Sequence, residues 1–273
     1  PSGPFEPLQH RTLEIGLRAW VAEQTGAPLG YVEQLYTFGD RGRHARAGDR
    51  DPHVVSVGYL ALTRVGAARE GAADPLAGFR PWYDFFPWED FRAGRPAILD
   101  AAILPPLLDW AEGLQGASRR ERLRFLFGLD GAPFDEERTL ERYELLYEAG
   151  LVDEARRDGR PGARAPAPLG EAMRFDHRRI LATAMGRLRA KLKYRPVIFE
   201  LMPAVFTLTA LQRTVEAISG RHLHKQNFRR LVESTALVEP TGDTTHATGG
   251  RPAALYRFRR EVLAERPAPG LRV

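Results

Sequence analysis

The stretch from Thr207 to Phe258 constrains this chain more than any other. It opens with Thr-Leu-Thr-Ala-Leu-Gln and an apolar-periodic run that Gly220 closes. His-Lys-Gln-Asn-Phe-Arg-Arg follows, and then two β-prone runs flank a polar, glycine-rich tip. The pattern predicts helix, turn, helix and β-hairpin, the order of a winged helix-turn-helix. Thr209 is expected to cap the first helix. Gln212, three residues on, completes a capping box in which two orphan backbone donors are satisfied reciprocally. Leu211, Val215 and Ile218 recur at helical spacing, and Gly220 can take the left-handed conformation that stops a helix. In the second helix, from about His224, Phe228, Leu231 and Val232 face inward. Lys225, Gln226, Arg229 and Arg230 then face solvent or a partner. The wing tip, Thr241 to Arg251, is too polar to be core, and Arg251 with Pro252 can reach a phosphate or a minor groove.

Side chains of these types hydrogen-bond base edges and phosphates. The candidate DNA-contacting set is Thr207, Thr209, Gln212, His224, Lys225, Gln226, Asn227, Arg229, Arg230 and Arg251. Helix, turn, helix and hairpin is also a common packing unit, and an exposed basic face is often only solvated. The local pattern therefore leaves both readings open. Charge distribution weighs on the first. Net charge is +5 over 273 residues, but Arg174 to Val273 carries 19 Lys and Arg against 8 Asp and Glu. The preceding residues carry 21 against 27. A basic C-terminal part beside an acidic remainder points to a polyanion that meets only the C-terminal part. The competing reading places the excess on one solvated helix, because Arg178 to Arg195 supplies much of it.

The sequence has no cysteine, which excludes disulfides and thiolate metal sites. No apolar run approaches the ~18 residues of a membrane span. No signal peptide is visible, so the cytoplasm is the expected compartment.

From the start, Arg11 to Thr25 predicts a helix with Leu13, Leu17, Trp20 and Val21 on one face, ended by Gly26. Tyr31 to Phe38 and Val54 to Val65 read as strands, with a charged loop from Gly39 to Asp51 between them. Ala19-Trp-Val-Ala-Glu-Gln-Thr-Gly26 resembles the end of a Nudix box. Tyr31-Val-Glu-Gln-Leu-Tyr-Thr-Phe-Gly-Asp40 resembles the segment that follows it, and Val54-Val-Ser-Val-Gly-Tyr-Leu-Ala-Leu62 the next Nudix strand. Together with the C-terminal winged helix, the chain resembles the Nudix-related (NrtR-like) transcriptional regulators of NAD metabolism, and among them the alphaproteobacterial NAD regulator branch (NadQ). Met173-Arg-Phe-Asp-His-Arg-Arg-Ile180, Arg187-Leu-Arg-Ala-Lys-Leu-Lys-Tyr194, Phe206-Thr-Leu-Thr-Ala-Leu-Gln212 and Asn227-Phe-Arg-Arg230 carry that likeness. It covers the chain except roughly Gly66 to Leu169.

The resemblance implies an α+β chain. A degenerate Nudix-like α/β/α domain over residues 1–195, with a helical insertion at about 66–169, precedes a winged helix-turn-helix domain over 196–273. A Nudix sheet has strands ahead of its helix, whereas residues 1–10 alone precede it here, so the sequence is expected to start inside the domain. Hydrolytic members hold Mg²⁺ on a glutamate cluster, because carboxylate oxygens suit a hard ion bridging a diphosphate. The pattern Arg-Glu-x-x-Glu-Glu-x-Gly falls on Ala19 to Gly26. Trp20 and Gln24 replace two of its glutamates, Glu23 remains, and Gln9 stands where the upstream glutamate belongs. One carboxylate does not make a divalent catalytic site, so no catalytic or metal-ligating residue is expected.

The weaker candidates for an effector site are Phe38, Asp40, Arg41 and Arg43, in a loop that can meet a diphosphate, with Arg18 and Glu23 on the helix itself. A solvated loop is the competing reading for Arg41, and an ordinary exposed helix residue that for Glu23. Within the insertion, Phe79 to Phe91 is dense in aromatics. A packed corner is the leading reading, and stacking on an adenine the other. Ile98 to Leu114 reads as a helix interrupted at Pro105-Pro106. Arg119 to Leu129 and Glu136 to Leu151 read as helices, the first with a capping-box spacing at Ser118 and Glu121. Arg157 to Leu169 reads as a loop. Asp176 to Lys193 predicts a long helix with Ile180, Ala184, Leu188 and Leu192 along one face, Asp176 at its cap and His177 on its surface.

The implied function is a repressor of NAD biosynthesis genes. A homodimer would grip double-stranded operator DNA, since two-fold proteins read palindromic half-sites. Its Nudix-like domain would sense an adenine nucleotide (NAD, ADP-ribose or ATP), with no cofactor required and no membrane partner. The alternatives are a Nudix pyrophosphatase acting on ADP-ribose, against which the lost glutamates argue, and a nucleotide-binding adaptor whose winged domain contacts protein.

Overall fold

A computed structural model describes residues 1–39, 55–64, 78–112, 115–160, 168–246, 252–265 and 270–271. The N-terminal part is one helix and one hairpin. Helix α1 (Leu13–Thr25) starts where Thr12 Oγ1 accepts from the Ile15 N–H at 3.2 Å. Of its expected inner face, Val21 is buried, Leu17 and Trp20 are half-buried, and Leu13 is exposed. Strands β1 (Val32–Phe38) and β2 (Ser56–Ala61) pair antiparallel, from Val32 opposite Ala61 to Phe38 opposite Ser56. Gly58 leaves room for the Phe38 ring, because a Cβ there would sit 2.8 Å from it.

Next comes a helical module. Two 3-10 turns (Trp82–Asp84 and Pro87–Glu89) and a π turn (Leu99–Ile103) lead into α2 (Leu104–Trp110), α3 (Gly116–Phe127), α4 (Thr139–Glu148) and α5 (Asp153–Arg157). The aromatic stretch contributes two rings to the core, with Trp82, Tyr83, Phe85 and Phe91 packed against it and Phe79 exposed. Phe86 and Trp88 are both 0% exposed and pack with Leu99, Ile103, Tyr143 and Leu146. The packed-corner reading therefore describes them, and no face of either ring is open for stacking. Pro105 and Pro106 do break the regular helical ladder: the π turn ends at Ile103, just before them, and they stand in the first turn of α2. One sequence expectation needs correction here. Ser118 lies inside α3, which begins at Gly116, so its spacing to Glu121 caps nothing.

Helix α6 (His177–Leu192) holds the molecule together. Its buried stripe is Arg178, Ala182, Met185, Arg189 and Leu192, with Leu188 and Lys191 beside it; of the stripe read from apolar spacing, Leu188 and Leu192 are buried and Ile180 and Ala184 half-buried. The shift has a cause. The expected stripe assumed that arginines face water, and two of them do not. Arg178 reaches Glu154 at 3.3 Å and lies over the rings of Phe86, Trp88 and Tyr143. Burial lowers its pKa from the ordinary arginine value, while Glu154 opposes the shift. Arg189 joins Glu89 and Arg142 in a network with side chains no more than 1% exposed. Glu89 Oε1 accepts from Arg142 Nε at 2.6 Å, and Oε2 accepts from Arg142 Nη2 at 2.8 Å and Arg189 Nη1 at 2.6 Å. Burial alone would raise the Glu89 pKa, but the two guanidinium groups hold it below the ordinary carboxylate range. The basic excess of α6 is therefore largely spent inside the protein, against acidic residues of the helical module and β1. Lys191 pairs with Glu33 of β1 at 2.6 Å.

The C-terminal part follows the predicted order. A 3-10 turn (Val197–Glu200) leads to α7 (Leu208–Ser219), α8 (Lys225–Thr235) and the hairpin β3 (Val238–Thr245) with β4 (Ala253–Phe258), and then to the short α9 (Val262–Glu265). Phe206 adds an antiparallel bridge to β4 by exchanging both backbone hydrogen bonds with Tyr256, at 2.9 and 2.8 Å. Leu211, Val215, Ile218, Phe228, Val232 and Leu237 form this part's core, and Leu188 and Leu192 of α6 complete it.

Candidate nucleic-acid interface

Helix α7 is capped by Thr207, whose Oγ1 accepts from the Ala210 N–H at 3.1 Å. The cap thus lies two residues before the expected Thr209, and no capping box forms, because Ala210 stands three residues after Thr207. Two threonines lie two residues apart in the pattern, and Thr207 is the one with extended backbone, which a cap requires. Gln212 instead turns its amide inward. Nε2 donates to the Leu223 carbonyl at 2.8 Å and to Glu216 Oε1 at 3.0 Å. The same Glu216 oxygen accepts from the Leu223 N–H at 2.9 Å and lies 3.4 Å from His222 Nδ1. Gln212 and Glu216 therefore fix the turn between α7 and α8. Gln212, named as a DNA-contact candidate, is buried and acts as a brace of the turn. The sequence pattern does not single out Glu216, although a carboxylate one turn before a helix-stopping glycine is well placed to bond the next segment's N–H groups.

Helix α8 starts after His224, buries Phe228 and Val232, and half-buries Leu231. This leaves Lys225, Gln226, Asn227, Arg229 and Arg230 exposed together with His224, Glu233 and Ser234. Arg230 Nη2 donates to Asn227 Oδ1 at 2.8 Å, so these two present one joined donor–acceptor surface. At helical spacing Glu233 falls between Arg229 and Arg230 on the exposed side, which places a carboxylate among the donors. Thr209 is half-buried on α7, and Arg213 of that helix, outside the predicted set, is exposed. On the hairpin, Arg257 pairs with Glu239 at 2.6 Å. Arg251 lies outside the described residues.

Of the effector candidates, Arg18, Glu23 and Phe38 are among the described residues. Arg18 spends its guanidinium on its own neighbourhood, with Nη1 donating to Leu29 O at 3.0 Å, Nη2 to Gly30 O at 3.2 Å, and Nε to Glu14. Its role here is to fix the loop after α1. Phe38 is buried at the end of β1, and Glu23 is exposed on α1. Asp40, Arg41 and Arg43 lie outside the described residues. A cleft of about 380 Å³ lies between α4 and α6, lined by Asp135, Glu137, Arg138, Glu141, Arg187 and Tyr194. Among the described residues no group of three or more His, Cys, Asp or Glu side chains could hold a metal ion.

Residues 198–258 match the family model described as the NrtR DNA-binding winged helix domain. This segment is an NrtR-type winged helix. The chain is also 45% identical over 84 residues to a protein of Acinetobacter baylyi named ADPR responsive transcriptional repressor NtrR. That match takes in 31% of this chain and spans only a third of the relative, 33% of its length. A crystal structure of Shewanella oneidensis NrtR aligns with 95% of this chain and 79% of its own, at a TM-score of 0.50 and 21% identity. That likeness is one of fold, and it extends beyond the winged helix to the helical and strand parts before it. The crystal structure of the same protein complexed with a 27mer DNA aligns with 96% of this chain and 80% of its own, at a TM-score of 0.49 and 21% identity. Among the described residues no helix is long and apolar enough to cross a membrane.

Proposed function

We propose that the chain is a DNA-binding transcriptional repressor of NAD biosynthesis genes whose Nudix-like part senses an adenine nucleotide. The observation that carries this reading is the NrtR-type winged helix, with its α8 face of Lys225, Gln226, Asn227, Arg229 and Arg230 held outward on a buried Phe228 and Val232. Such a face enters a major groove, where guanidinium and amide groups read base edges and the lysine and wing reach phosphates. The name of the A. baylyi relative favours ADP-ribose among the three nucleotides weighed, the others being NAD and ATP. Residues 1–195 form the sensing part and 196–273 the DNA-binding part, and among the effector candidates Arg41 and Arg43 carry the charge that suits a phosphate. The repressor acts as a cytoplasmic homodimer, and the nucleotide shifts it between spacings of its two winged parts. Such a switch requires that the nucleotide bind one spacing more tightly than the other. The chain works without hydrolysis, since Glu23 stands alone where hydrolytic members carry a glutamate cluster.

The test is an anisotropy titration of a duplex that the protein selects from a randomised pool, at two salt concentrations, with and without ADP-ribose, NAD and ATP. Sequence-specific binding that weakens steeply with salt and responds to a nucleotide is the expected result. Absence of selection under every condition refutes the repressor. Mg²⁺-dependent release of AMP from ADP-ribose would restore the pyrophosphatase reading instead.

A further inference from the structure

A helix leaves its last carbonyls without intrahelical partners, and those at the end of α7 belong to the turn that sets the angle of α8. In this molecule their partners come from outside the winged helix. The Tyr83 hydroxyl donates to Ala217 O at 2.8 Å, Arg189 Nε donates to Ile218 O at 2.9 Å, and the Phe91 N–H donates to Gly220 O at 2.7 Å. Tyr83 and Phe91 belong to the helical module and Arg189 to α6. The fit is close as well as polar. A Cβ at Gly220 would meet the Glu89 carbonyl oxygen at 2.4 Å and the Tyr83 hydroxyl at 2.9 Å. Arg221 extends the contact through a 3.3 Å pair with Glu136.

The donors are themselves fixed. Besides Glu89, Arg189 Nη1 bonds the Glu136 carbonyl and Thr139 Oγ1, both at 2.9 Å. Beyond the turn, Gln212 and Glu216 pass the constraint to Leu223, the second residue before α8. A continuous set of bonds therefore runs from the helical module through the end of α7 to the start of the helix that presents Lys225 to Arg230. A buried ionic network is a poor source of stability compared with apolar packing of the same volume, and its best-attested use is to fix one arrangement among several.

We propose that Tyr83 and Arg189 are positioning residues for α8, and that the helical module over residues 79–160 is the clamp that sets the angle of this helix to DNA. The inference rests on the DNA-binding reading above and assigns the module a task within it. Loss of one clamp bond lets the turn tilt. Base contacts depend on the angle of α8, whereas phosphate contacts tolerate change in it.

The experiment compares the full chain with Tyr83→Phe and Arg189→Lys on two probes, the duplex selected by the unmodified protein and a scrambled duplex of equal length. Tyr83→Phe removes only the bond to Ala217 O and its contact with Arg189, so its fold is retained. Its affinity for the selected duplex is expected to fall roughly tenfold, within the range by which residues that touch neither ligand shift a coupled equilibrium. Affinity for the scrambled duplex and the salt dependence should hold. Arg189→Lys, which cannot serve Glu89 and Ile218 together, should lose more. Hydrogen exchange at the amides of residues 221–225 should quicken in both variants. Unchanged discrimination between the duplexes, with the unmodified protein selecting DNA normally, overturns the clamp and leaves the repressor standing. An equal loss on both probes with a lowered melting temperature reduces the network to ordinary structure and also overturns it. If the unmodified protein selects no duplex, the repressor reading fails and the clamp with it.

Discussion

Replacing Glu89 with Gln keeps the shape of the side chain and removes the one negative charge between two buried guanidinium groups. In the native network both carboxylate oxygens are acceptors, to Arg142 at 2.6 and 2.8 Å and to Arg189 at 2.6 Å. A Gln amide replaces one acceptor with a donor, so at least one N–H would face another N–H wherever the amide turns. Arg142 and Arg189 would be left as neighbouring cations with side chains no more than 1% exposed. Breaking a buried pair in this way costs about 3–5 kcal/mol. That is a large part of the about 5–15 kcal/mol that holds a typical domain folded. Urea unfolding followed by circular dichroism should show it as a lower midpoint with an unchanged slope. The pH dependence gives a second check. The two arginines depress the folded pKa of Glu89 against the upward push of burial. Stability from a depressed carboxylate is fully present above its unfolded pKa and is lost as pH falls through the folded value. The difference between the two proteins should therefore be full at neutral pH and narrow below roughly pH 4. Combining Glu89→Gln with Arg142→Met should cost less than the sum of the two single changes, because they break the same contact. A Glu89→Gln protein within about 1 kcal/mol of the unmodified chain at neutral pH would refute this account of the network.

Other expectations follow from the winged helix. Gly220→Ala forces a left-handed residue (φ 73°) to carry a Cβ 2.4 Å from a carbonyl oxygen, and should cost at least about 2 kcal/mol in thermal or urea unfolding. Ala236 ends α8 at φ 49°, so Ala236→Gly should relieve strain and stabilise by about 1 kcal/mol, seen as a higher melting temperature. Thr207→Ala removes the cap of α7 and should cost about 1 kcal/mol, whereas Thr209→Ala should not. The double change Arg229→Ala, Arg230→Ala should weaken binding to the selected duplex with the fold intact. The logarithmic salt slope of binding should fall by about one for each phosphate that the variant no longer neutralises.

The helix-turn-helix and wing were legible because their signals are local. Leu211, Val215 and Ile218 repeat at helical spacing, Gly220 stops the first helix, and Phe228 with Val232 marks the inner side of the second. The cap was read two residues late because Thr207 and Thr209 differ only in backbone conformation, which sequence does not display. Helix α6 was legible together with the buried Leu188 and Leu192, but the arginines of its inner side were not. An arginine in a helical pattern is ordinarily assigned to solvent, and the partner that buries Arg189 stands 100 residues earlier in the chain. Nothing at Glu89 announces such a pairing, since it sits in an aromatic stretch whose burial has its own explanation. Arg18 bonds the carbonyls of Leu29 and Gly30, contacts that an exposed-looking cation on a helix does not announce either.

Helix α6 lends Ala182 and Met185 to one apolar core and Leu188 and Leu192 to the other. A cut at residue 195 would therefore strip Leu188 and Leu192 from the core of the winged helix. The two cores should melt in a single cooperative transition. A substitution that loosens the helical module should also lower the protection of amides in the winged helix.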